Sequence, residues 1–271
     1  MTPEDFDKLQ AIMSTRAGYR LTRDRIHLAE HRLGPIARRE GYANVEALLA
    51  NLWANPVASL GWAVIEALLN AETWFRRDRA PFDVFENELL PALSRVRPDG
   101  IVRVWSAGCS TGQEAWSLAM CGLETRTQLH LVATDLSQRA VDKARSGLYT
   151  GFEIQRGLTA RTMLRWFEPM EDQWIVKPEL ADAVRFGRAN LLDEPVDDAR
   201  FDIIFCRNVL SDMEPSRRAR VLDGLERRLV DDGCLFLGAD ERLESDTVAF
   251  RAVSGRRGLY VKAPSSLRRA A

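Results

Sequence analysis

The sequence predicts an α/β fold: a mostly parallel sheet, preceded by an all-helical domain and interrupted by a small antiparallel β-insertion. Three observations predict it. Before Arg95, apolar residues recur at helical spacing. After Arg95, short apolar runs ending in Gly, Asp or Asn alternate with amphipathic stretches, as strands joined through helices do. Between Tyr149 and Asn190 that alternation breaks.

Residues 1–95 are expected to form the helical domain and linker. Phe6, Leu9, Ile12 and Met13 lie on one helical face, and Val45, Leu48, Leu49 and Leu52 on another, with Asn44 as an N-cap. Pro35, Pro56 and Pro81 are expected to mark helix starts or breaks. Arg16, Arg20, Arg23, Arg25, Arg32, Arg38 and Arg39 face only Asp24 and Glu30 as opposing charges. This local basic stretch reads either as a solvated helix surface or as a docking face for an acidic helix.

Residues 96–271 are expected to form the α/β domain. Ile101–Trp105 is a short strand running into Gly108-Cys-Ser-Thr-Gly112 and a helix over Glu114–Leu123. Leu129–Ala133 is a second strand ending at Thr134-Asp135, followed by a helix to Arg145 capped by Asp135 or Ser137. Phe201–Cys206 is a third, ending at Arg207-Asn208. A helix over Glu214–Val230, the turn Asp231-Asp-Gly233, and strands Cys234–Gly238 and Gly258–Lys262 close the sheet. The β-insertion is placed at about 165–188, with Trp174–Lys177 and Val184–Phe186 as its strands after a helix over Thr159–Trp166. The basic tail from Pro264 reads as frayed.

Composition narrows the function. Lys+Arg 38 against Asp+Glu 39 leaves a net charge of −1, so no whole-chain charge argues for nucleic acid. Cys109, Cys121, Cys206 and Cys234 form no C-x-x-C pair and His is scarce, so no metal site is expected. Cysteines in apolar or Gly-rich runs fit reduced thiols. Met1–Gln10 is acidic and amphipathic, and no apolar run reaches the roughly 20 residues that span a bilayer. A cytoplasmic protein without membrane insertion, acting as a monomer, is expected.

Three polar positions then fall at one edge of the predicted sheet. The glycines of 108–112 let backbone approach a ligand closely, although a tight turn explains them equally well. Asp135, about twenty residues beyond the loop, suits a pair of ribose hydroxyls or a helix cap. Asn208 follows an apolar strand at the carboxyl edge, where open α/β sheets bind ligands. The loop lacks the full G-x-G-x-x-G of a pyrophosphate site. S-adenosylmethionine (SAM) needs no phosphate cradle; it needs acceptors for a ribose, contacts for adenine and groups for an amino-acid zwitterion. Gly108, Glu114, Asp135, Asn190 and Asn208 offer that set.

Ordered motifs extend the pattern over nearly the whole chain: Thr73-Trp-Phe-Arg-Arg-Asp-Arg-Ala-Pro-Phe82, Arg103–Gly112, Ala133-Thr-Asp135 with Lys143–Tyr149, Asn190-Leu-Leu192, and Phe201–Val209. In this order they resemble the CheR family of chemotaxis receptor methyltransferases. The resemblance implies a SAM-dependent methyltransferase (Rossmann-like) fold and a protein-glutamate O-methyltransferase acting on chemoreceptor cytoplasmic helices, with S-adenosylhomocysteine (SAH) as product. It implies cofactor contacts at Thr73, Arg77, Glu114, Asp135, Asn190, Leu191, Asn208 and Val209, with Arg77 also the catalytic, carboxylate-positioning residue.

The chain departs from the family's pattern at several places. Ala71 stands where the family carries Asn, Arg76 where it carries Phe, Gln113-Glu-Ala-Trp116 for Glu-Glu-Pro-Tyr, and Ser211-Asp-Met213 for Ile-Tyr-Phe. The connection between Phe167 and Trp174 is shorter than in members that grip a receptor's C-terminal pentapeptide, which implies a pentapeptide-independent enzyme. Two alternatives stand beside this reading: a methyltransferase with another acceptor, and a SAM- or SAH-binding regulator without catalysis.

Overall fold

The computed structural model describes residues 1–194, 198–243 and 249–263. Its contacts gather into two compact units, Met1–Asn70 with Asp212–Arg218, and Ala71–Ser211 with Ala219–Ala271. The tail expected to fray from Pro264 lies outside the described residues. No helix among those described is long and apolar enough to cross a membrane.

The first unit holds four helices: α1 (Pro3–Ala17), α2 (Ile26–Arg39), α3 (Val45–Ala54) and α4 (Ala58–Leu68). Thr2 and Asp5 form a capping box that satisfies the first N–H groups of α1. Asn44 accepts from Ala47 N at 2.8 Å and caps α3, as its sequence position predicts. Phe6, Leu9 and Met13 of α1, Leu33 of α2, Leu48 and Leu49 of α3 and Val64 of α4 are buried to within 1%. Pro35 neither starts nor breaks a helix: it sits inside α2. The buried stripe of Ala29, Leu33, Ile36 and Ala37 holds α2 together across the missing N–H, because packing of an apolar face outweighs local propensity.

Several arginines of the basic stretch have internal partners. Arg23 pairs with Asp7 at 2.7 Å, Arg25 with Asp212 at 3.5 Å, and Arg32 donates to the last carbonyls of α4, Leu68 O and Leu69 O. Asp212 belongs to this unit through its backbone as well, since its carbonyl accepts from Arg20 N at 2.8 Å.

The second unit begins at Ala71, whereas the change in periodicity lies near Arg95. The reason is aromatic packing. In α5 (Ala80–Val84), the π-turn Phe85–Leu89 and α6 (Leu90–Val96), Phe82, Phe85 and Leu90 are fully buried in the core of the large sheet. Phe82 and Phe85 pack on Phe205, which stacks on Phe236 with centroids 4.4 Å apart.

The chain then runs β1 (Val102–Ala107), α7 (Gln113–Thr125), β2 (Leu129–Asp135), α8 (Gln138–Ser146), β3 (Leu148–Thr150), α9 (Gly151–Gln155), α10 (Ala160–Trp166), β4 (Phe167–Met170), β5 (Gln173–Val176), α11 (Pro178–Ala181) and β6 (Val184–Arg188). It ends with β7 (Phe201–Phe205), α12 (Pro215–Arg228), β8 (Leu229–Phe236), β9 (Phe250–Ala252) and β10 (Leu259–Lys262). Seven strands form one sheet in the order β6-β2-β1-β7-β8-β10-β9. The first five are parallel neighbours, and β10 is antiparallel to both β8 and β9. This is the predicted α/β architecture, doubly wound about the β1–β7 junction, where the strand order reverses.

Two expectations are corrected. Val184–Phe186 is not a strand of the antiparallel insertion; as β6 it pairs in parallel with β2 at the edge of the large sheet. The separate antiparallel sheet is β3-β5-β4, with Tyr149 opposite Trp174. The helix expected to reach Val230 stops at Arg228, and Leu229 already pairs with Phe201. The predicted Asp231–Gly233 turn survives as a bulge, because the register jumps from Phe201↔Leu229 to Ile203↔Cys234.

Candidate active site

The carboxyl ends of β1, β2, β6 and β7 bring the predicted residues to one rim of the second unit. The loop after β1 is held by backbone: Gly108 N and Cys109 N both donate to Thr134 O, at 2.8 and 2.9 Å. Gly108 has φ +84°, and a Cβ there would lie 2.5 Å from Val209 Cγ2. Glycine therefore lets this loop touch the loop that follows β7 across the strand-order switch. Farther along, Gly112 at φ +96° lies against Ala144, and Tyr149 Oη donates to Thr111 O at 2.6 Å.

Asp135 ties the loop to the next helix. Its Oδ2 accepts from Ser110 N at 2.8 Å and its Oδ1 from Ser137 N at 2.9 Å. Ser137, not Asp135, caps α8, accepting from Ala140 N. A carboxylate accepts up to about four hydrogen bonds, so holding the loop is compatible with also binding hydroxyls. Asn190 follows from β6: Ala189 N donates to Asp135 O at 3.0 Å, and Asn190 Oδ1 accepts from Leu192 N, which leaves Leu191 at the turn.

A chain of charges links the rim to the Thr73–Phe82 segment. Glu114, with a side chain 12% exposed, accepts from Ser106 Oγ at 2.7 Å and pairs with Arg207 Nη1 at 3.1 Å. Burial pushes the Glu114 carboxyl up, while Arg207 and Ser106 pull it back. The Arg207 side chain is 2% exposed; its Nη2 reaches Asp78 at 2.8 Å and Arg77 O at 2.8 Å. Arg77 lays its guanidinium on the Trp74 ring, 4.3 Å from the centroid, and donates from Nη1 to Glu72 O at 3.0 Å. Arg77 Nε is buried with no hydrogen-bond partner. The segment carrying Thr73 and Arg77 is anchored at Ala71, whose carbonyl accepts from Ser110 Oγ, and at Phe75, which packs edge-on against Tyr149 and Phe167.

Gly108, Glu114, Asp135, Asn190, Leu191, Asn208 and Val209 thus share the rim with Arg77 and Thr73. Asp212 is engaged elsewhere, with Arg25. Sequence reasoning missed Arg207, Asp78 and Glu241 as site-building residues. The signal for Arg207 was a charge directly after the apolar run Phe201–Cys206; for Glu241 it was a carboxylate three residues beyond Gly238 at the end of an apolar strand. Cys109 and Cys206 also lie here, and burial pushes both thiols well up, so they stay protonated at neutral pH.

The strand order, with one antiparallel strand inserted before the last position, and a rim built of a Gly turn, an acidic residue ending β2 and an Asn loop after β7, define a Rossmann-like SAM-dependent methyltransferase. The chain belongs to the CheR methyltransferase family: residues 71–259 match the family described as CheR methyltransferase, SAM binding domain. It is 32% identical over 268 residues to the chemotaxis protein methyltransferase Cher2 of Pseudomonas putida, covering 96% of this chain and 98% of that one. It is 31% identical to a chemotaxis protein methyltransferase of Vibrio parahaemolyticus (97% and 98% covered) and 30% identical to chemotaxis protein methyltransferase 1 of Pseudomonas aeruginosa (96% and 97%).

The residues present fit SAM. The rim offers acidic acceptors at Asp135 and Glu114 and a buried, unpartnered donor at Arg77 Nε. At Gly108 the approach of Val209 excludes even a methyl group.

Proposed function

We propose that the protein methylates glutamate side chains on the cytoplasmic helices of a chemoreceptor, giving a methyl ester and SAH. The observation that carries this reading is Arg77, a guanidinium with a buried, unpartnered Nε on the same rim as Asp135 and Asn208. We assign Thr73, Arg77, Gly108, Glu114, Asp135, Asn190, Leu191, Asn208 and Val209 to the cofactor. Bound there, SAM supplies an electrophilic sulfonium methyl.

This chain's residues then have three tasks. Asp135 accepts from the ribose hydroxyls. Arg77 orients a carboxylate, either the acceptor's or the cofactor's own, and Trp74 keeps the guanidinium plane fixed. The Arg207–Glu114–Asp78 pairs hold the Arg77 backbone in place. No general base is needed, because a glutamate of pKa near 4.3 is already ionised at pH 7. Alignment of this kind contributes up to about 7–11 kcal/mol. A stronger cation on the nucleophile would stabilise the ground state and slow the step.

Docking is read as independent of a receptor C-terminal pentapeptide. What supports this is the β4–β5 connection: Met170 pairs with Gln173, so Glu171 and Asp172 alone make the turn. The basic stretch of the first unit is read as the face for acidic receptor helices, and the protein as a cytoplasmic monomer.

The test is transfer of tritiated methyl groups from SAM to purified chemoreceptor cytoplasmic fragments, with and without their C-terminal tails. Base-labile label is expected, at initial rates within about twofold for the two fragments, since orientation and not tail binding is assigned to the enzyme. Base-stable label would mean another acceptor. No label with intact SAH binding would favour a regulator, and a rate that collapses without the tail would overturn pentapeptide independence.

A further inference from the structure

Glu241 is a carboxylate only 5% exposed, in the segment that leaves β8. Backbone donors surround it. Its Oε2 accepts from Gly238 N at 2.7 Å and from Asn208 N at 2.7 Å, and its Oε1 accepts from Ser211 N at 3.0 Å. Two of these donors belong to the loop after β7, and the third to the end of β8. One carboxylate thus ties together the two loops that flank the carboxyl edge beside the strand-order switch.

The geometry around it leaves little freedom. Asn208 is held at φ +60°, a left-handed conformation that Asn tolerates better than most residues but that still requires support. A Cβ on Gly238 would lie 2.6 Å from Asn208 Nδ2 and 2.8 Å from Glu241 Oε2, so Gly238, Asn208 and Glu241 pack as one cluster. Val209, the next residue along, is the side chain that meets Gly108.

We propose that Glu241 is the positioning residue of the cofactor site: its three backbone hydrogen bonds lock residues 208–211 so that Val209 closes on the Gly108 turn. This rests on the assignment of Asn208 and Val209 to the cofactor. A neutral amide of the same shape does not replace the carboxylate. The carboxylate accepts on both oxygens, whereas Gln presents one oxygen and one NH2, and either orientation sets a donor against a donor.

The experiment uses the full chain and SAH as the probe. Glu241→Gln should weaken SAH binding by calorimetry about tenfold, as expected for one buried donor left unmet. KM for SAM should rise with it, while kcat at saturating SAM falls less than about threefold and KM for a receptor fragment stays put, the signature of lost uniform binding. Amide exchange at Asn208, Ser211 and Gly238 should accelerate. If Glu241→Gln melts below the assay temperature, Glu241→Asp, one methylene shorter with the charge kept, is read instead and should show the same split at roughly threefold.

An SAH affinity within experimental error of wild type overturns the proposal, and so does a parallel loss in kcat and in both KM values, which would mark Glu241 as a general stabiliser. Asp135→Ala, measured alongside, separates the two readings. If it binds SAH as wild type does, the cofactor assignment of the rim itself fails; if it loses SAH while Glu241→Gln keeps it, only the role of Glu241 fails.

Discussion

The two ends of the central strands solve the same electrostatic problem in opposite ways. At the amino end, Arg97 and Asp202 are both largely buried, at 15% and 3% side-chain exposure, and their network is complete. Arg97 Nε donates to Asp202 Oδ1, Arg103 N donates to Asp202 Oδ2 at 2.7 Å, and both Arg97 Nη groups reach Asp232 at 2.8 and 2.9 Å. At the carboxyl end, Arg207 and Glu114 are equally buried, but the network leaves two donors over, Arg207 Nε and Arg77 Nε.

Backbone strain follows the same division. Of the seven non-glycine residues with positive φ among the described residues, five (Arg76, Asp78, Arg79, Ser110 and Asn208) lie at the carboxyl rim or on the segment that joins it. The other two, Arg126 and Glu171, sit at a helix C-cap and in a two-residue turn, where left-handed backbone is ordinary. A saturated, relaxed network stabilises the fold; the unmet donors and the left-handed backbone gather instead at the end to which the cofactor is assigned.

That contrast is open to direct attack. Asp135→Ala, at the strained end, removes the acceptor of two backbone N–H groups and of the proposed ribose contacts. Two charge-assisted hydrogen bonds at about 1.5–3 kcal/mol each predict a loss of SAH affinity of at least about 100-fold by calorimetry; unchanged binding would break the assignment of function to this end. Arg77→Ala should lower kcat roughly 30- to 100-fold in methyl-transfer assays while SAH affinity moves less than about threefold, because an orienting contact counts mainly in the transition state. That split assigns Arg77 to the acceptor's carboxylate; equal losses in both would assign it to the cofactor's own carboxylate, which SAH retains. Asp202→Asn, at the relaxed end, breaks a buried ion pair and should cost about 3 kcal/mol of stability. This is read as a fall of roughly 5–10 °C in melting temperature. SAH affinity should be unaffected, and a loss of affinity there would erase the distinction between the ends.

Much of the fold was legible because periodicity reports burial directly. The strands at Val102, Leu129 and Phe201, the helix after Gly112 and the Asn44 cap follow from apolar runs and cap chemistry that need no long-range information. The errors fell where a segment's partner decided its identity. Val184–Phe186 has the same local pattern whether it joins a small antiparallel sheet or the edge of the large parallel one; only its register against Leu131–Ala133 settles that. Pro35 has a helix-breaking propensity that the buried face of α2 overrides. Within the site, Asp135 and Asn208 stood out as polar residues ending apolar strands. Glu241 did not, since its three donors come from residues up to 33 positions away.

The sequence by itself determined the class of chemistry: strands that end in Gly, Asp and Asn place polar groups on one edge of a parallel sheet, because side-chain period and right-handed crossover fix where those ends lie. It also determined the family, through motifs spread over almost the whole chain. Only the tertiary structure decided which charges are saturated and which are left over. Arg77, Arg97 and Arg207 are alike as letters, yet every nitrogen of the Arg97 guanidinium finds an acceptor, while Arg77 on Trp74 and Arg207 in its ion pairs each keep a buried Nε unmet. Hydrogen-bond partners distant in sequence are chosen by packing, and packing exists only once the chain has closed on itself.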